Sequence, residues 1–331
     1  MKIMLVGCGG IASSVYAPSL QRLLKEDSSL TLAGCCDLNL TAAKEMQKLA
    51  GFEHSGTDLL QMAEELKPDV MLLATTVTAT VNVGLQAASV GCPLMIEKPP
   101  GLTADETRRL ADEIRKRGIL HQVAFNRHYM PLIRELKKSM DAKKESIRHI
   151  QISMYRHQRL EPTFYTTAIH DVDLAYYLAG APYKSVHYQY QELPWFGDGV
   201  CNIYMNGEFA NGITFQLAFI VNCGIVGERI MVSGEECSWE VQLPVWDGTD
   251  IPGFYKYFEN GLLKEFKSGT EISDGQELFE SNGFYAEIKS FLQAVRDGKQ
   301  PYESLDYSIQ PVEVSQYIHQ RKKEYKGTSL L

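Results

Sequence analysis

The chain opens on a short apolar strand that runs straight into glycines, Lys2-Ile3-Met4-Leu5-Val6-Gly7-Cys8-Gly9-Gly10-Ile11-Ala12. The spacing Gly7-x-Gly9-x-x-Ala12 constrains the fold more than any other stretch, because it calls for a sharp strand-to-helix turn with bare backbone at its tip. One glycine makes the bend, another lets a pyrophosphate approach the backbone, and a small residue at Ala12 lets the helix sit on the strand. The phosphates then lie on a helix N-terminus. The next apolar run, Leu30-Thr31-Leu32-Ala33-Gly34-Cys35-Cys36, ends at Asp37. That is about the 20–30-residue separation expected of a carboxylate that holds an adenosine ribose. A structural turn with a solvated aspartate is the alternative. An acidic residue repels a ribose phosphate and so favours NAD over NADP, although neighbouring Asn39 and Lys44 leave NADP open.

Strands and helices alternate from there. Helices are expected over residues 15–25, 40–49 and 57–66, and the continuous apolar run Val70-Met71-Leu72-Leu73-Ala74, ending in Thr75-Thr76, reads as a parallel strand covered on both faces. A helix around residues 81–90 stops at Gly91, strand Pro93-Leu94-Met95-Ile96 follows, and Thr103-x-x-Glu106 is a capping box for the next helix. Residues 120–125 make a sixth strand. This is an α/β chain that begins with a doubly wound parallel sheet of the Rossmann kind, with ligands expected beyond the carboxyl ends of the strands. Near Asn126 the pattern changes to long period-two stretches, of which Ile213, Phe215, Leu217, Phe219 and Val221 are the clearest. Asn206-Gly207 and Ser233-Gly234 read as hairpin turns. The expected domains are therefore 1–123, dinucleotide-binding, and 124–331, an α+β domain with a large, mostly antiparallel sheet for substrate binding and oligomerisation.

At 331 residues the chain can build two cores, and its formal net charge of −8 argues against a nucleic-acid partner. Seven cysteines show neither C-x-x-C nor metal-ligand spacing, so no metal is expected and a reducing cytoplasm is the simplest location. Residues 70–96 carry no charge, which raises a membrane span. Asn82, Gln86 and Pro93, with glycines at 84 and 91, fit a buried strand-helix-strand unit better.

A nicotinamide enzyme needs a group that takes or gives a hydroxyl proton while hydride moves. Lys98 stands just past the fifth strand, and Pro99 keeps it out of helical geometry and displayed in the crevice. His170 sits in an otherwise apolar helix with Thr166 and Asp173 four and three residues away, close enough on one face to orient the imidazole. A solvated strand-end lysine and a satisfied core histidine are the plainer readings. Arg127-His128-Tyr129 and Tyr155-Arg156-His157-Gln158-Arg159 end strands, where they either bind a substrate carboxylate or phosphate or are simply solvated.

The glycine turn, Glu97-Lys98-Pro99, Phe125-Asn126-Arg127, His170-Asp171-Val172-Asp173-Leu174 and the late Tyr285-Ala286-Glu287-Ile288-x-x-Phe291 resemble, in order and spacing, the glucose-fructose oxidoreductase / inositol dehydrogenase / rhizopine-catabolism (Gfo/Idh/MocA) family. The resemblance spans nearly the whole chain. It implies an NAD(P)-dependent oxidoreductase of sugars, polyols or related compounds, in which Lys98 and His170 flank the reacting carbon. The expected cofactor contacts are Gly7, Cys8, Gly9, Gly10, Ile11, Ala12, Asp37, Thr75, Thr76, Glu97 and Lys98. The expected substrate contacts are Arg127, Tyr155, His157, Tyr165 and Thr166. Polyol dehydrogenases of the family have aspartate where this chain has Thr166, and a proline and a histidine where it has Thr76 and Thr80. Either the substrate differs, with Tyr165 or His157 helping, or catalytic power is reduced. A cofactor-binding ligand sensor and a redox-neutral glycoside-cleaving enzyme with tightly held NAD are the rival functions. An open sheet face in the second domain is expected to pair copies into a homodimer or homotetramer.

Overall fold

A computed structural model describes residues 1–327 apart from 247 and 276. The chain divides into two units, Met1–Asn126 with Phe284–Val312, and Arg127–Gly283 with Glu313–Leu331.

The first unit is built on a six-stranded parallel sheet in the order β3-β2-β1-β4-β5-β6, with β1 Lys2–Val6, β2 Thr31–Cys36, β3 His54–Gly56, β4 Val70–Leu73, β5 Leu94–Glu97 and β6 His121–Ala124. This doubly wound order places its switch point between β1 and β4, where a nucleotide crevice belongs. Every residue of β4, β5 and β6 is buried, as covering on both faces demands. The connecting helices are α1 Ala17–Glu26, α2 Leu40–Met46, α3 Leu59–Leu66, α4 Val77–Val90 and α5 Ala104–Lys116. Half of the capping box expected before α5 is present: Thr103 Oγ1 accepts from the Glu106 N–H at 3.1 Å, but the Glu106 carboxylate accepts from the N–H of Leu102, one residue before the N-cap, at 2.7 Å. Uncharged residues 70–96 form β4, α4 and β5, and among the described residues no helix is long and apolar enough to cross a membrane.

The second unit carries a nine-stranded sheet in the order β14-β13-β12-β11-β7-β10-β9-β8-β15. Its strands are β7 Ile147–Tyr155, β8 Tyr183–Glu192, β9 Cys201–Phe209, β10 Thr214–Ile220, β11 Gly227–Gly234, β12 Cys237–Leu243, β13 Phe254–Glu259, β14 Leu262–Ser268 and β15 Glu324–Lys326. Only the β7–β10 pair is parallel. Phe215, Leu217 and Phe219 of β10 are buried while Thr214 and Gln216 are exposed, the expected alternation. Helix α6 (Pro131–Asp141) lies against β12 and β13, and α7 (Tyr165–Ala179) against β7 and β10. On the other face Gln151, Gln189, Tyr204, Asn206 and Gln216 line a polar groove. Short helices α8 (Gly269–Ile272) and α9 (Leu278–Ser281) precede α10 (Phe284–Asp297) and α11 (Leu305–His319).

Three expectations are corrected. Asn206-Gly207 is not a turn: it lies inside β9, where a Cβ on Gly207 would stand 2.0 Å from the Ser185 carbonyl oxygen, so the glycine serves strand contact. Gly234 still belongs to β11, and the turn falls on Glu235 and Glu236, the latter with φ of 59°. Finally, residues 284–312 return to the first unit, whereas the expected second domain ran from 124 to the end. Tyr285 and Lys289 meet Glu26, and Arg296 meets Asp27, across about 260 residues of sequence that no local pattern can bridge.

Candidate functional site

At the end of β1 the chain turns at Gly7, whose φ is 92°. A Cβ there would lie 2.4 Å from the carbonyl oxygen of Ala74 at the end of β4, so only glycine fits. Gly9 and Gly10 differ: both are exposed, and nothing lies within 4 Å of where a Cβ would stand. Their bare backbone leaves room for a ligand to approach. Buried Ala12 then opens a π-helical turn, Ala12–Tyr16, that leads into α1. The Asp37 carboxylate is held by two backbone donors, the N–H of Cys8 at 2.8 Å and that of Asn39 at 2.8 Å. The turn and the acidic residue are thus brought together, and they fit a dinucleotide, with open backbone for its pyrophosphate and an oriented acceptor for a ribose.

At the end of β4, Thr75 is half-buried and Thr76, exposed, caps α4 with extended backbone. Thr80 donates to the Thr76 carbonyl at 3.1 Å. At the end of β5, Glu97 is 7% exposed and half-buried Lys98 follows, its bond to Pro99 cis. Burial pushes the Glu97 carboxyl above its ordinary value, against the pull of the neighbouring Lys98 charge and of the Tyr16 hydroxyl, which donates to it at 2.9 Å.

In the second unit His170 is half-buried near the start of α7, with Asp171 and Asp173 beyond it fully buried. The Asp173 carboxylate lies 2.8 Å from Nε2 of His128, whose ring stacks on Tyr177 with centroids 3.8 Å apart. The Thr166 hydroxyl donates to the Thr163 carbonyl at 3.0 Å. Tyr165 is buried with its ring 4.7 Å from that of His319. Exposed His157 has Nδ1 3.2 Å from the Cys223 carbonyl oxygen, and half-buried Tyr155 lies under the Arg229 guanidinium.

Arg127, expected as a fork for a substrate anion, is 6% exposed and forks onto Glu228, with Asp171 3.6 Å away. Arg156, equally buried, reaches the same Glu228 carboxylate. Burial alone would raise the Glu228 carboxyl, but the two guanidinium groups overcome it and hold it down at about 2. Burial, then adjacent Glu228, push Asp171 the other way, well above its ordinary value. The sequence does carry a signal for Glu228: it shares the inward parity of Ile230 and Val232 in β11, where a carboxylate needs a buried partner. Tyr16 carries no such signal.

A doubly wound sheet with a glycine turn, an oriented acidic residue at the end of β2 and a lysine at the end of β5 defines a nicotinamide-dinucleotide oxidoreductase. The family profile described as an oxidoreductase family with NAD-binding Rossmann fold matches residues 1–125, and that of its C-terminal alpha/beta domain matches 156–327. The chain belongs to this Gfo/Idh/MocA family and is an NAD(P)-dependent dehydrogenase. It is 26% identical over 272 residues to a scyllo-inositol 2-dehydrogenase (NAD(+)) of Bacillus subtilis, covering 78% of this chain and 77% of that one. It is 25% identical to a D-glucoside 3-dehydrogenase of Escherichia coli, over 42% of this chain and only 39% of that protein. A dehydrogenase structure from Chromobacterium violaceum has the same fold, with a TM-score of 0.83, 19% identity and coverage of 97% and 95%.

Proposed function

We propose that this chain oxidises or reduces one carbon of a sugar, polyol or sugar-acid-like substrate, with Lys98 and His170 as its catalytic residues. The observation that carries the reading is the joint presence of the glycine turn with oriented Asp37 and of Lys98 after β5. The names of the Bacillus subtilis and Escherichia coli relatives support the substrate class. When bound, the nicotinamide accepts or donates the hydride. Lys98 then hydrogen-bonds the reacting oxygen and stabilises the charge that develops on it, and His170 acts as general acid-base or as substrate anchor. The cofactor is held by the backbone of residues 7–12 and by Asp37, with Thr75, Thr76 and Glu97 at the strand ends. Tyr155, His157, Tyr165 and Thr166 are assigned to the substrate; Arg127, committed to Glu228, is not. Nicotinamide absorbance over a panel of polyols, glycosides and sugar acids, in both directions, tests the reading. Binding of NADH without turnover on any of them would favour a ligand sensor, and product formed without net redox a glycoside-cleaving cycle.

NAD is the preferred cofactor in this reading, because the carboxylate of Asp37 disfavours a ribose phosphate. In Asp37→Ser the ratio of kcat/KM for NAD to that for NADP falls about ten-fold, the worth of one charge-assisted hydrogen bond. An unchanged ratio removes Asp37 from that role. Two copies pair through the face of the nine-stranded sheet that bears the polar groove and half-exposed Met231. Sedimentation equilibrium at micromolar concentration is expected to return a mass of at least two chains; a single-chain mass refutes the pairing. Seven cysteines without a disulfide among them support a reducing cytoplasm.

A further inference from the structure

We infer that Tyr16 is a positioning residue for Lys98, acting through the buried carboxyl of Glu97. The inference rests on the reading of Lys98 as the group that holds the reacting oxygen. Tyr16 Oη donates to Glu97 Oε1 at 2.9 Å, and the other carboxyl oxygen, Oε2, accepts from the backbone N–H of Lys98 at 3.1 Å. Tyr16 is 1% exposed, so water does not replace its hydroxyl if that hydroxyl is removed. One hydrogen-bonded line therefore runs from the π-helical turn behind the glycine loop to the backbone from which Lys98 projects. A carboxyl gripped at both oxygens is fixed in plane and in distance, and it fixes the peptide it holds.

The line also carries charge. The groups bearing on Glu97 are Lys98, beside it in the chain, and Tyr16. Glu287, buried on α10, bears on Tyr16 in turn. Donation from Tyr16 favours the ionised form of Glu97, and ionised Glu97 favours the ammonium form of Lys98. Removing the hydroxyl moves Glu97 ionisation to higher pH and weakens its hold on Lys98.

The test is a pH titration of the full chain carrying 13C-dimethyl lysines, with the Lys98 resonance assigned by its loss in Lys98→Arg. Wild type, Tyr16→Phe and Glu97→Gln are compared, each checked for folding by its thermal transition. The Lys98 resonance is expected to register Glu97 ionisation as an inflection that rises by at least about half a pH unit in Tyr16→Phe and vanishes in Glu97→Gln. Superimposable curves for the three proteins overturn the inference. Should Tyr16→Phe fail to fold, Tyr16→Met, which also lacks the hydroxyl, takes its place with the same expected rise. The underlying reading fails separately: full turnover in Lys98→Ala removes the role of Lys98 and that of Tyr16 with it. Lost turnover there, with superimposable titrations, removes Tyr16 only.

Discussion

Lys98→Ala is expected to lower kcat about a thousand-fold while leaving the affinity for NADH within about two-fold of wild type. The size follows from the assigned task. An alkoxide-like oxygen forms as the hydroxyl proton is withdrawn, before hydride has fully left the carbinol carbon, and a half-buried ammonium at the end of β5 stabilises that charge more in the transition state than in the bound substrate. Cofactor affinity is spared because the pyrophosphate and ribose are assigned to residues 7–12 and Asp37. Steady-state kinetics on the responding substrate, with NADH binding followed by fluorescence, separate the two quantities. Comparable losses in turnover and in cofactor affinity would mean that Lys98 holds the dinucleotide and does no chemistry.

The second large effect is on stability. Replacing Glu228 by Gln leaves Arg127 and Arg156 buried without the carboxylate they share, and a broken buried ion pair costs about 3–5 kcal/mol. Urea unfolding is expected to show that loss in the transition of the second unit. A loss under about 1 kcal/mol would mean that water or Asp171 takes over the role of Glu228. The pH dependence has a definite sign. The folded carboxyl is held at about 2 against an ordinary value of 4.5, so its contribution is complete above about pH 4.5. It disappears as pH falls towards 2, and the difference between wild type and Glu228→Gln narrows over that window. The cluster also borders the proposed site, since Asp171 of the same group is the residue next to His170 on α7.

Much of the site was legible because its signals are local. A turn that needs φ of 92° and tolerates no Cβ must be glycine whatever surrounds it, and Gly7 declares this in the sequence. A strand covered on both faces must be apolar throughout, so β4 and its end at Thr75 stand out. The cap of α5 is equally self-contained. The hairpin expected at Asn206-Gly207 fails for the converse reason. The same dipeptide serves a turn or a close strand contact, and only the neighbouring carbonyl of Ser185 distinguishes them. Strands β13 and β14 were not foreseen, since the edge strand Leu262–Ser268 is largely exposed and its neighbour Phe254–Glu259 buries only Tyr255, so neither shows a clean alternation.

The sequence by itself determined the doubly wound first sheet, the dinucleotide turn with its acidic partner, the strand-end lysine and the mainly antiparallel second sheet. Each depends on local periodicity, on local steric demand or on the spacing of two motifs along the chain. The tertiary structure alone decided the return of residues 284–312 to the first unit, the capture of Arg127 by Glu228 and the bond from Tyr16 to Glu97. Those pairings join residues 81 to more than 250 positions apart. A buried charge or hydroxyl requires some partner. Which one it finds is set by packing that no local window contains.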